Sequence, residues 1–196
     1  MRLFTDSVLP GLELREDFVD HREEAVVIGH IEALGLTPFR FQGWTGKRLT
    51  RTFGWRYDFE DSSFTETEPI PEWLKPLRAR AADLAAVSAD DLAHVLLVRY
   101  DVGAGIGWHR DRPQFDKVVG ISLGAPTSMR FRQRTSTGFR RASLELPRRS
   151  AYLLSGEVRS DWEHSIAPHA ALRFSITFRS LSERGRRLAA QTSGMN

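Results

Sequence analysis

From His94 onward the chain is a succession of short β-rich runs: HVLLVRY, KVVGISL, SMRFRQ, ASLELP, SAYLLSG and LRFSITFR, separated by Gly, Pro, Asp or Ser. Runs this short, rich in branched and aromatic residues and closed by turn formers, read as strands. So many of them in sequence argue for an antiparallel sandwich or barrel. A double-sheet jelly roll is the most economical solution, because it gives two packed sheets with an open mouth.

The preceding residues supply helices to cover such a core. Asp20-His21-Arg22-Glu23 has capping-box spacing, and Val27, Ile31 and Leu34 then share a helical face with Gly35 as the stop. A second helix is expected from about Pro71, burying Trp73, Leu74, Leu77, Ala81 and Leu84. PFRFQG and TFGWRYDFED read as strands. The fold class is therefore α+β, mainly β, with N-terminal helices packed on one sheet. All 196 residues form one expected domain: helices and intervening strands over 1–90, the jelly roll over 91–182 and a basic tail over 183–196.

Composition narrows the chemistry. There is no cysteine, which excludes thiol catalysis and thiolate metal sites and leaves His and carboxylate as metal donors. No apolar run approaches the ~20 residues of a membrane span, and the N-terminus lacks the progression of a secretory signal. A monomer in the reducing cytoplasm, away from membranes, is the default expectation. The net charge is only +3, but arginine far outnumbers lysine and is concentrated in 130–149 and 179–187. Each stretch is either a solvated face or a nucleic-acid contact.

Three segments carry candidate chemistry. In RFSITFR, alternation sets Arg173, Ser175, Thr177 and Arg179 on one face and Phe174, Ile176 and Phe178 on the other. The apolar face must be buried; if the polar face lines an interior, its two arginines require anions. GIGWHRDRP places His109 and Asp111 one residue apart, which alone is either part of a metal site or an ordinary charged strand end. SDWEHSI adds His164 far downstream. Histidine, one residue, aspartate, a long gap and a second histidine is the order of the two-His-one-carboxylate triad, which leaves open positions on Fe(II).

YDVGAGIGWHRD, GEVRSDWEHSI and ALRFSITFR together resemble the AlkB family of iron- and 2-oxoglutarate-dependent dioxygenases. The resemblance runs from about Phe39 to Leu181 and takes in PIPEWL and GKRLTRTFGWRYDF, the latter where the family carries its nucleotide-recognition lid. It implies that His109, Asp111 and His164 hold Fe(II). It also implies that Tyr100 and Arg173 contact 2-oxoglutarate, that Arg179 lies near the iron end beside Asp111, and that Ser175 and Thr177 face the same cavity. Oxygen would be the second co-substrate, and Gly103, Gly105 and Gly107 would turn the strand of Tyr100 toward the metal. Two residues depart from the family pattern. Val98 stands where the family has asparagine and cannot donate a hydrogen bond to the co-substrate. Pro113 stands where some repair members place an acidic residue near the bound base.

The activity so implied is oxidative demethylation of N-alkylated bases in DNA or RNA, with single-stranded or locally opened nucleic acid as partner. The alternatives are the same chemistry on a protein side chain or a tRNA nucleoside, or a nucleic-acid-binding module without turnover, which Val98 motivates. Arg51, Trp55 and Tyr57, near Lys47 and Arg48, form the candidate substrate lid, and Arg110 is a candidate phosphate contact. A competing reading packs Phe53, Trp55 and Tyr57 against the sandwich. Trp108 is expected in the core, and Trp162, two residues from His164, either directly behind the site or in the core.

Overall fold

The computed structural model describes residues 9–41, 44–58 and 63–193. In chain order these form β1 (Leu12–Arg15), α1 (His21–Ala33), β2 (Thr37–Phe41), β3 (Trp44–Tyr57), β4 (Phe64–Glu66) and α2 (Lys75–Ala85). There follow β5 (His94–Tyr100), β6 (Ile106–His109), β7 (Phe115–Gly124), β8 (Thr127–Thr135), β9 (Gly138–Leu146) and β10 (Ser150–Leu154). The chain closes with α3 (Gly156–Ser160), β11 (Glu163–Ile166), β12 (Arg173–Leu181) and α4 (Glu183–Ser193).

Two antiparallel sheets face each other, as a jelly roll requires. The larger runs β1-β10-β7-β12-β5-β3-β2 with β4 on β3, and the smaller runs β6-β11-β8-β9. Helices α1 and α2 cover the outer face of the larger sheet. Phe174, Ile176 and Phe178 of β12 pack there with Val27, Ile31, Leu77 and Ala81. Each such side chain removed from water contributes about 1.5–3 kcal/mol. A second core fills the space between the sheets, where Met129, Phe131, Val118, Leu154 and Trp162 meet. Of its two expected positions, Trp162 therefore takes the core.

Local signals set most boundaries. Asp20 caps α1 by accepting the Glu23 amide at 2.7 Å. The helix ends at Ala33 with Leu34 as its cap, one residue short of the anticipated glycine stop. Glu72–Leu74 form a 3-10 turn, so α2 starts at Lys75 rather than Pro71. The anticipated basic tail is helical in α4, and Thr192 ties it to β4 through Phe64 O at 3.1 Å.

Glu24 is a feature sequence patterning did not indicate. It sits in α1 at 1 % exposure and accepts the Gly124 amide at 2.9 Å and Arg148 at 2.6 Å, with Arg149 at 3.7 Å. Two arginines of the 130–149 stretch are thereby committed to holding helix against sheet. Among the described residues no helix is long and apolar enough to cross a membrane.

Candidate active site

The polar face of β12 does line an interior. Arg173, Ser175, Thr177 and Arg179 border a cavity of about 50 Å³ between the sheets. Strand pairing brings the other residues to it. Tyr100 and Val98 of β5 lie opposite Arg173 and Ser175, and His109 of β6 lies opposite His164 of β11. A register shift between His164 and Ile166 lets both Ile106 and His109 face inward although they are three residues apart. Of the three glycines expected to turn the chain here, Gly103 takes φ +78°, Gly105 packs where a Cβ would lie 2.7 Å from Ile166 O, and Gly107 meets nothing.

His109, Asp111 and His164 converge. The imidazole centroids are 4.3 Å apart, and His164 Nε2 is 3.6 Å from Asp111 Oδ2. His109 Nδ1 lies 2.9 Å from Gly107 O, which fixes that nitrogen as the donor and leaves Nε2 with its lone pair. Arg179 donates Nε and Nη2 to Asp111 Oδ1 at 2.8 and 2.7 Å, while the buried Oδ2 has no hydrogen-bond partner. The Asp111 loop is pinned from behind. Arg159 donates to Arg112 O at 2.7 Å and Phe115 O at 2.6 Å, and Ser182 donates to Pro113 O at 2.6 Å.

The electrostatics leave this group deprotonated. Burial raises the Asp111 pKa, but Arg179 above all, then His164, His109 and Arg159, hold it well below the usual carboxylate range. Burial, reinforced by His109, pushes His164 down to about 3 against the pull of Asp111. Burial also lowers His109. Two neutral imidazoles and one carboxylate are the protonation states a divalent cation needs. Among the described residues no group of three or more His, Asp or Glu side chains stands ready to hold a metal as placed. The 3.6 Å between His164 and Asp111 exceeds by little the ~3 Å between adjacent donors about an ion with ~2.1 Å bonds. The donor chemistry and the orphaned Oδ2 fit a cation after a small side-chain adjustment.

The far end of the cavity is cationic. Arg173 is 1 % exposed, donates Nη2 to Ser122 Oγ at 3.2 Å, and leaves Nε and Nη1 without partners. Its guanidinium lies 5.1 Å from the Tyr100 ring centroid. A buried cation with unmet donors calls for an anion. Val98 faces the same space and offers no hydrogen bond. Tyr152 does: its ring crosses Gly120, where a Cβ would come within 2.2 Å of it, so only glycine admits the phenol. Burial pushes the Tyr152 pKa well up, which keeps the hydroxyl protonated as a donor.

Sequence reasoning missed Tyr152, which sits in an apolar-looking strand, and three arginine or histidine supports. Arg159 is one. His94 backs the site, with Nδ1 3.3 Å from Arg179 Nη1 and its ring 4.5 Å from Phe115. Arg48 lines the cavity. The register of β3 places Arg48: Thr50 pairs with inward-facing Val98, so Arg48 shares that side, and nothing within its own strand marks it.

The substrate candidates sit elsewhere. Arg51 lies opposite Leu97, a helix-side core residue, and forms two 2.8 Å contacts with Glu68. Trp55 stacks on Phe64 at 5.2 Å in a small cluster with Tyr57, Phe115 and Leu181. Tyr57 lies under Arg112 at 4.7 Å. Phe53 is in the main core. Arg110 is exposed and donates to Ser160 O at 3.2 Å. None of these borders the cavity. Trp108 points away from the cavity as expected but is not core; it lies half-buried beneath Arg130 and Arg132 at 5.3 and 4.5 Å.

Known proteins are similar to this chain in fold and in sequence. A solved structure, that of OsALKBH1, superposes with a TM-score of 0.67 over 88 % of this chain and 97 % of that one, at 16 % identity. The tRNA (carboxymethyluridine(34)-5-O)-methyltransferase alkbh8 of Xenopus tropicalis is 26 % identical across 85 % of this chain and 26 % of its own length. The alkylated DNA repair protein ALKBH8 homolog of Arabidopsis thaliana is 26 % identical across 82 % of this chain and 52 % of its own. The chain thus spans between a quarter and a half of those relatives. The family model of the 2OG-Fe(II) oxygenase superfamily matches residues 35–179, and with these relatives it makes the chain a member of that superfamily, in its AlkB family.

Proposed function

We propose that the protein is a Fe(II)- and 2-oxoglutarate-dependent dioxygenase that oxidatively demethylates N-alkylated bases in nucleic acid. One observation carries the reading: a single buried cavity holds, at one end, an orphaned Asp111 oxygen beside two neutral imidazoles and, at the other, a guanidinium with two unmet donors. His109, Asp111 and His164 would hold the iron, with Arg179 steadying Asp111. Arg173 would bind the distal carboxylate of 2-oxoglutarate, with Tyr100, Ser175 and Thr177 completing the wall. Tyr152 supplies the hydroxyl donor that Val98 cannot. With iron bound, oxygen converts 2-oxoglutarate to succinate and carbon dioxide while a base N-methyl is oxidised and leaves as formaldehyde. The protein's part is to orient these reactants and exclude water. No protein nucleophile or general base is required.

On the substrate side, Trp55, Tyr57 and Arg110 are proposed contacts to the nucleic acid outside the cavity, which none of them borders. Arg51, on the helix side of the sheet and paired with Glu68, is reserved for an outlying stretch of the nucleic acid. A second reading, the same chemistry on a tRNA nucleoside, is favoured by the names of the ALKBH8 relatives. The test is iron-dependent succinate and formaldehyde release with methylated single-stranded DNA, RNA and tRNA. One formaldehyde per succinate with a methylated oligonucleotide supports demethylation, and coupled turnover with tRNA alone favours the second reading. His109→Ala must abolish turnover; activity surviving it removes the metal assignment.

A further inference from the structure

The two arginine-rich stretches are used differently. In 179–187, Arg179 is taken by Asp111, Arg186 by Leu181 O at 2.7 Å and Arg187 by Glu183 at 2.9 Å. Arg148 and Arg149 are taken by Glu24. Apart from the exposed Arg184 of α4, that leaves the β8–β9 hairpin. Met129 and Phe131 of β8 point into the core, so Arg130, Arg132 and Arg134 share the outer face of the smaller sheet. Arg141 sits directly opposite Arg132. Like charges placed so are destabilising, and only Arg132 has an acidic partner among the described residues, Glu163 at 2.5 Å.

These guanidiniums lie over aromatic rings. Arg130 and Arg132 lie over Trp108, and Arg132, Arg134 and Arg141 surround Phe139 at 4.7, 5.8 and 5.5 Å. Contact with a ring restricts a guanidinium and so reduces the side-chain entropy lost on meeting an anion. An open groove of about 400 Å³ runs between Arg110 and the pair Arg132 and Arg134, with Phe139 in its wall and the carboxylates of Asp161 and Glu163 also on its lining, while Arg130 and Arg141 lie outside it. Arg110 joins groove to site, because its side chain borders the groove and the next residue is Asp111. On β11, Glu163 belongs to the groove while neighbouring His164 belongs to the cavity.

We propose that this outer face is a docking track for the phosphodiester backbone of a single-stranded nucleic acid, leading past Arg110 toward the cavity. A row of cations spaced along an extended hairpin, with Arg130, Arg134 and Arg141 exposed, fits a flexible polyanion whose bases can stack on guanidinium and aromatic faces. The proposal rests on the nucleic-acid reading of the active site but concerns residues outside it.

The test is fluorescence anisotropy of unmodified single-stranded DNA and RNA 20-mers of one sequence, titrated with wild type and with Arg134→Gln/Arg141→Gln across 50–200 mM salt. The double variant should bind at least about 10-fold more weakly at low salt, and its salt slope should fall by about 1.4, as expected for two lost phosphate contacts. Loss in either arm supports the track and names its polymer. Unchanged affinity and slope in both arms overturn it. So does polyglutamate binding wild type as tightly as the oligonucleotides do, since the face would then read charge alone. Circular dichroism checks that the variant is folded. The measurement needs neither iron nor turnover, so its failure is distinct from failure of the formaldehyde assay.

Discussion

Strands β12 and β8 each carry arginines on one alternating face and use them in opposite ways. Both bury the residues in between, Phe174, Ile176 and Phe178 in one and Met129 and Phe131 in the other. On β12 the polar face meets a second wall of protein, so Arg173 is 1 % exposed and Arg179 is spent on Asp111. On β8 the polar face meets solvent, and the guanidiniums rest on aromatic rings instead. Alternation alone therefore cannot say what an arginine is for. The layer it faces decides, by setting the dielectric around the charge and hence whether an unmet donor is costly.

The largest expected effect breaks the comparison at Arg173. Arg173→Leu should weaken 2-oxoglutarate binding by roughly 2–5 kcal/mol, a loss of at least about 30-fold, because it removes one partner of a desolvated charge pair. Isothermal titration of the Mn(II)-loaded protein without oxygen reads this directly. Arg134→Leu, on the outer face, should leave that affinity unchanged. Equal losses in the two variants would mean the two strands do not differ as described.

The next test asks whether the interior behind Arg179 is dry. Burial, with Arg179 second, holds the His94 pKa well below the usual imidazole value. The unfolded chain regains a pKa near about 6.5 and so binds more protons than the fold below that pH. Stability contributed by neutral His94 is thus complete above about 6.5 and is lost as the pH falls below it. Urea unfolding of the metal-free protein should show a shallower loss between pH 7.5 and 5.5 for His94→Asn than for wild type. Parallel slopes would place water at His94.

Much of the fold and of the candidate site was legible because it is encoded within short local segments. The β12 alternation, the His109-x-Asp111 spacing and the Asp20 cap each depend on neighbours in sequence. What was not legible depends on pairing across the chain. Arg48 and Arg51 read as one basic cluster, and only the register of β3 on β5 turns the first inward and the second toward Glu68. Glu24 looks like an exposed helix residue until the Gly124 amide and Arg148 arrive from distant strands. Trp108 was misassigned to the core because the arginines that cover it lie on a different strand. Tyr152 in SAYLLSG reads as packing, and its access to the cavity follows from Gly120 on the adjacent β7.

The smallest expected effects sharpen the inner wall itself. If the Tyr152 hydroxyl donates to 2-oxoglutarate in place of the missing asparagine, Tyr152→Phe should cost about 1 kcal/mol, roughly 5-fold in affinity. Val98→Asn should restore a donor. In the wild-type background the added amide competes with Tyr152 for the same acceptor and gains little. In the Tyr152→Phe background it should recover most of the loss. The double-mutant cycle therefore predicts a non-zero coupling between positions 98 and 152, which residues on separate strands show only when they share a partner or touch. The same titration measures it. Additive changes would assign Tyr152 to packing against Gly120 alone and leave the co-substrate held by Arg173 and Tyr100.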